Sequence, residues 1–173
     1  MTQLLQRPER TEAVDYYFTY IDQVPAGDIK TILATQARET SAMLRSIADD
    51  RSLHRYAPNK WSVRETVGHI NDAERVFTFR AFWFARGFDL ALPSFDQDVA
   101  VAGSNADARS WHSHVDEFDS IRAATLTLFS SLPEEAWSRT GLASGNSFSV
   151  RALAFIVAGH VAHHVRILRE RHL

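Results

Sequence analysis

At 173 residues, with 45% hydrophobic and 23% charged side chains, the chain has the make-up of one globular domain covering residues 1–173. Its net charge of −2 leaves no basic footprint for nucleic acid or an anionic membrane, so neither is expected as a partner. Cysteine is absent, which excludes disulfides, thiolate nucleophiles and thiolate metal sites, so any bound metal must be held by His, Asp or Glu.

No apolar run is long enough to span a bilayer, and the opening MTQLLQRPERTEA has no signal-peptide core, so the cytoplasm is the expected location. Residues 10–24 read as a short helical arm carrying Tyr16, Tyr17, Phe18 and Tyr20, closed by Val24-Pro25-Ala26-Gly27-Asp28. A first long helix is predicted from about Ile29 to Asp49, where Leu33, Ala37, Thr40, Leu44 and Ile47 recur at helical spacing. After a connection over residues 50–60, Ser62 reads as an N-cap and Glu65 completes a capping box. The helix so started runs to about Arg86 and stops at Gly87. Residues 87–105 carry Gly, Pro, Ser and Asn without a period; a link this long is read as functional or as crossing the bundle. A third helix spans about Ala106 to Leu132, with Trp111, Val115, Phe118, Arg122, Thr125, Phe129 and Leu132 in one mostly apolar row. Beyond Pro133 a loop through Gly141 and Gly145 reaches Ser149, where a fourth helix begins. Four long amphipathic helices and no strand predict an all-α four-helix bundle, with a long crossover joining helices 2 and 3 as parallel neighbours.

The chemistry-bearing residues are histidines. In the fourth helix Leu153, Val157, His160, His164 and Ile167 step by 4, 3, 4 and 3, the stripe a helix turns toward its neighbours. An unpaired buried polar group there costs about 1–3 kcal/mol. The two imidazoles therefore need partners, either on neighbouring helices or in one metal ion that satisfies both. His69 sits among Val67, Ile70, Ala73 and Val76 on the inward side of the second helix. If helices two and four are antiparallel, it lies level with His160 and His164. Three imidazoles and an open position form the pattern of a catalytic metal site, whereas structural zinc takes four protein ligands.

His163, about 100° from the stripe, is placed at the pocket rim; His114 is a weaker inward candidate, and His54, His112 and His172 are assigned to solvent. Glu65 lies one turn before His69, but the capping box accounts for it. Asp96 and Asp98 in the crossover are candidates to orient water or substrate, or else to form turns within the loop. Asp72 and Glu74 are assigned to the surface, and Arg151 and Arg166 to a solvated face with a substrate carboxylate as the other reading. Trp61 is read as a packing anchor. The run Val76–Phe84 places aromatics around most of the helix, so either the crossover and the N-terminal arm cover the outer ones or a second copy does; a homodimer is expected.

Taken together, YAPNKWSVRETVGHINDAERVF, LPSFDQD and GHVAHHVRILRER resemble the DinB/YfiT-like superfamily, more narrowly its DinB_2 branch, from about Tyr17 to Arg171. That resemblance implies an up-down-down-up bundle, His69, His160 and His164 as metal ligands, and zinc or nickel as the ion. It also implies a small-molecule substrate and chemistry with low-molecular-weight thiols such as bacillithiol or mycothiol, as a transferase or hydrolase. The other reading is a metal-binding or dimeric scaffold module of a stress response.

Overall fold

The computed structural model describes residues 6–172. The N-terminal arm is helix α1 (Asp15–Ile21). It is followed by α2 (Ile29–Arg45), α3 (Val63–Ala85), a short α4 (Gln97–Ser104), α5 (Trp111–Ser130) and α6 (Val150–Arg171). The long helices begin where a side-chain oxygen takes up a free backbone N–H: Asp28 accepts from Thr31, Ser62 from Glu65, Ser110 from Ser113 and Ser149 from Ala152. The Ser62–Glu65 capping box forms as expected.

Contacts between helices fix their directions. Arg45, at the end of α2, pairs with Asp116 early in α5, while Leu33 near the start of α2 accepts from Arg122 further along α5. These two helices are antiparallel. Asn71 donates to the His114 carbonyl, and Glu74, one turn on, meets Arg122 and Thr125. Hence α3 and α5 run the same way. Val67 and Ile70 early in α3 cluster with Val161 and Val165 in the second half of α6, while Phe77 and Phe84 cluster with Leu153 and Phe155 near its start, so that pair is antiparallel. The bundle is up-down-down-up, and the crossover joins parallel helices.

Four expectations need correction. The first helix ends at Arg45 rather than Asp49. The third starts at Trp111 rather than Ala106, because Asn105 turns left-handed (φ 50°) to end α4 and Ser110 then caps a fresh start. The crossover itself is not structureless, since Asp96 caps α4 by accepting from Asp98 and Val99. A hairpin also interrupts the all-helical reading: β1 (Thr140–Ala143) pairs antiparallel with β2 (Asn146–Ser149). Its turn residues Ser144 and Gly145 both have positive φ, the geometry that matches the twist of a tight hairpin. Gly141 is required there, since a β-carbon would fall 2.1 Å from the Phe84 ring.

The core divides into two apolar clusters. One gathers around Phe18, Phe77, Phe84, Phe129, Phe148 and Phe155; the other around Leu44, Val67, Ile70, Trp111, Phe118 and Leu168. Their boundary falls between Ile70 and Ala73 on α3 and between Ala158 and Val161 on α6. Buried polar side chains lie at this level. Arg122 and Glu74 form an ion pair (2.8 Å) less than 3% exposed, with Thr125 donating to Glu74 and Gln36 accepting from Arg122. Glu74 is therefore internal, not a surface charge. His160 lies in the same layer.

Candidate metal centre

His69 enters the bundle because it lies two residues after Val67 and one before Ile70 on a stretch of α3 buried on almost every side. His160 and His164, one turn apart, look across at it from α6. The Nε2 atoms of His69 and His160 are 3.0 Å apart, and those of His164 and His160 are 3.1 Å apart. One ring nitrogen from each of the three lies within 4.8 Å of the others. All three residues are 9% exposed or less. Among the described residues no further His, Asp or Glu joins this group.

This geometry is poorly explained by hydrogen bonding alone. Three Nε2 atoms face one another and offer no oxygen acceptor, and His69 Nδ1 is a buried atom with no partner. Imidazoles 2.0–2.1 Å from a tetrahedral ion would hold their nitrogens about 3.3 Å apart, close to the spacing seen here. The donor set fits a divalent metal.

The protonation states agree. Burial first, and the neighbouring His163 second, lower His69 from its ordinary value of 6.5 to about 4. Burial, then His69 and His163, lower His164 to about 3. His160 is pushed well down by burial and then by the flanking histidines. All three rings are neutral at physiological pH, the form in which imidazole binds metal.

Helix α1 walls one side. Its docking depends on Gly159, where a β-carbon would lie 2.1 Å from the Tyr20 carbonyl oxygen. The close approach sets the Tyr20 ring 5.3 Å from His160 and 5.4 Å from His163. Two openings reach the histidines. A cavity of about 220 Å³ touches His69 and His160 and is bounded by Tyr17, Tyr20, Arg80 and Gln97. Another, of about 340 Å³, touches His164 and is bounded by Trp61, Asp98 and His172.

The remaining candidates separate clearly. Asp98 lies at the His164 mouth. Asp96 is the α4 cap, and Glu65 closes the α3 capping box by accepting from the Ser62 N–H while also pairing with Arg55 at 2.5 Å. His163 is half-buried, with its ring 5.1 Å from that of His164, but it lines neither cavity. His114 is fully buried, but its Nε2 lies 2.9 Å from the Ala106 carbonyl, away from the trio. His172 is buried rather than solvated, because its Nδ1 lies 3.2 Å from the His54 carbonyl and Tyr56 packs on its ring. His54 likewise is only partly exposed, whereas His112 is exposed. Arg151 is held by Glu12 rather than left to solvent, and Arg166 is exposed. Trp61 packs against the His69 ring at 5.0 Å. Sequence reasoning passed over Arg80, which lies on the buried stripe three residues after Phe77 and four before Phe84.

The model of the DinB superfamily matches residues 32–168. This chain belongs to the DinB superfamily. YfiT from Bacillus subtilis, described as a probable metal-dependent hydrolase with an unusual four-helix bundle topology, superposes with a TM-score of 0.66 at 14% identity, covering 94% of this chain and 91% of that one. A mycothiol-dependent maleylpyruvate isomerase superposes with a TM-score of 0.68 at 13% identity, covering 84% of this chain but 61% of the longer isomerase. At such identities the likeness is one of fold. No protein of curated function matches the sequence significantly.

Proposed function

We propose that this DinB protein holds one divalent ion, zinc or nickel, on the Nε2 atoms of His69, His160 and His164, and acts as a metal-dependent hydrolase or thiol S-transferase on a small molecule. The observation that carries the reading is the convergence of three buried, neutral imidazoles on one point without an oxygen acceptor. Three protein ligands would leave a coordination position for an outside molecule, and the two cavities give access to the histidines. His69, His160 and His164 would hold such an ion as neutral ligands, and it would supply Lewis-acid activation of a water or thiol near neutral pH.

The protein's own groups divide the remaining work. Tyr20, raised above its ordinary value by burial and then by its hydrogen bond with Tyr16, keeps its proton and serves as a donor beside His160. Asp98, at the other mouth, is the carboxylate positioned to take a proton from a molecule entering there. The chain has no cysteine, so a sulfur nucleophile must arrive with a low-molecular-weight thiol cosubstrate. The mycothiol dependence of the isomerase with this fold supports that class of cosubstrate.

Elemental analysis of the purified protein and of His160→Ala tests the assignment. Wild type is expected to carry about one ion per chain and the variant almost none. Metal retained undiminished in the variant overturns the ligand set. Loss of metal with scarcely any change in melting temperature favours a functional site; a collapse of stability favours a structural one.

A second reading concerns assembly. Phe79 and Phe82 are 49% and 37% exposed and border an apolar groove between α3 and α5 with Ile121, Ala124 and Leu128. The arm covers α6 instead and leaves this face open. Its apolar character supports a homodimer, and a dimeric scaffold role is the alternative to catalysis.

A further inference from the structure

Three arginines of the described residues are almost wholly buried, and two of them face a carboxylate. Arg122 pairs with Glu74 at 2.8 Å and Arg64 with Asp49 at 2.9 Å. Arg80 does not. It is 3% exposed, its Nη2 donates to the Pro93 carbonyl and to Ser144 Oγ, and no carboxylate of the described residues forms an ion pair with it. A guanidinium has five N–H donors and keeps its charge at any physiological pH. The Tyr17 hydroxyl is a further side-chain partner of the guanidinium, but no carboxylate among the described residues pairs with it. A buried cation without a counter-charge is costly to maintain, which is why such groups normally occur paired.

Arg80 lines the cavity that ends on His69 and His160, and the Tyr17, Tyr20, Gln97 and Ser144 side chains border the same space. The guanidinium and the histidine cluster thus face one chamber. Its volume of about 220 Å³ is below the roughly 300–1,000 Å³ usual for drug-sized ligands. The space suits a molecule of few atoms.

We propose that Arg80 binds a carboxylate of the substrate, and that this chamber selects small organic acids whose other end reaches the histidine cluster. A single guanidinium flanked by uncharged phenol, amide and hydroxyl groups balances one negative charge, which favours a carboxylate over a dianionic phosphate. A guanidinium also matches a carboxylate with two parallel N–H···O bonds. The proposal rests on the metal-centre reading for the orientation of the far end, but the anion site itself does not require the ion.

Calorimetric titration of 3-mercaptopropionate, its neutral amide and inorganic phosphate tests this, on zinc-loaded and metal-free protein, with wild type and Arg80→Gln. Wild type is expected to bind the acid about tenfold more tightly than the amide, the scale of one charge-assisted contact, and more tightly than phosphate. In Arg80→Gln the acid and the amide should bind alike, with circular dichroism verifying the fold. Equal binding of acid and amide by wild type, or an acid preference that survives in Arg80→Gln, overturns the proposal. Tighter binding of phosphate overturns the assignment to carboxylates. Should Arg80→Gln fail to fold, the wild-type ratio decides alone. An acid preference that persists in protein unable to hold zinc sinks the metal reading and leaves this one standing; zinc bound without any acid preference does the reverse.

Discussion

His69 and His164 are held at about 4 and about 3 against an ordinary 6.5, chiefly by burial. The folded chain therefore refuses protons that the unfolded chain accepts once the pH falls below 6.5. Stability contributed by the neutral rings is fully present above that point and is lost as the pH drops toward 4, at about 1.4 kcal/mol per unit of displacement. Urea melts of metal-free protein should show the midpoint falling through this window and level above it, with a shallower fall in His69→Gln. A midpoint with the same pH dependence in both proteins would count against neutral, buried rings. The histidines were readable in the sequence because a polar residue on an apolar stripe is conspicuous. Arg80 carries the same signal between Phe77 and Phe84, but the crowd of aromatics around it hid the stripe's phase.

Among the helices, the buried pair of Glu74 and Arg122 was half visible. Arg122 stood in the apolar row of α5, and Glu74 in fact continues the stripe Val67, Ile70, Phe77, Ala81 of α3. What the sequence lacked was the register between α3 and α5, since parallel helices joined by a long crossover have no turn geometry to set it. Removing one partner leaves a charge stranded among apolar side chains, so Glu74→Leu should cost about 3–5 kcal/mol, while Glu74→Leu with Arg122→Met should restore most of that. Denaturant melts of the singles and the double measure the coupling. A double variant as unstable as the sum of the singles would mean that the pair itself holds the helices together. The hairpin escaped notice because its strands are four residues each and its turn, Ser144-Gly145, lacks the asparagine or aspartate that marks most such turns. The helix starts after Asp28, Ser62 and Ser149 were legible in the sequence, whereas the Ser110 cap before Trp111 was passed over and that helix was begun at Ala106.

For the molecule as a whole, the four-helix count and the parallel crossover could be read from periodicity and one long link, whereas the docking of α1 over α6 depends on a single missing β-carbon at Gly159 and has no periodic signature. That docking leaves the Phe79–Phe82 face uncovered. Sedimentation equilibrium is expected to give a dimer for wild type and a monomer for Phe79→Ser with Phe82→Ser, because two exposed aromatics bordering an apolar groove are strong anchors for association. A monomeric wild-type protein would exclude the face as a self-association surface.

His69 and His160 stand 91 positions apart along the polypeptide. During synthesis the first emerges long before the second, and no partial chain ending before α6 can present the complete set of nitrogens. Loading of the proposed ion would therefore be a late event in the life of each molecule. It would have to await closure of the bundle and draw on whichever cation the surroundings then supply.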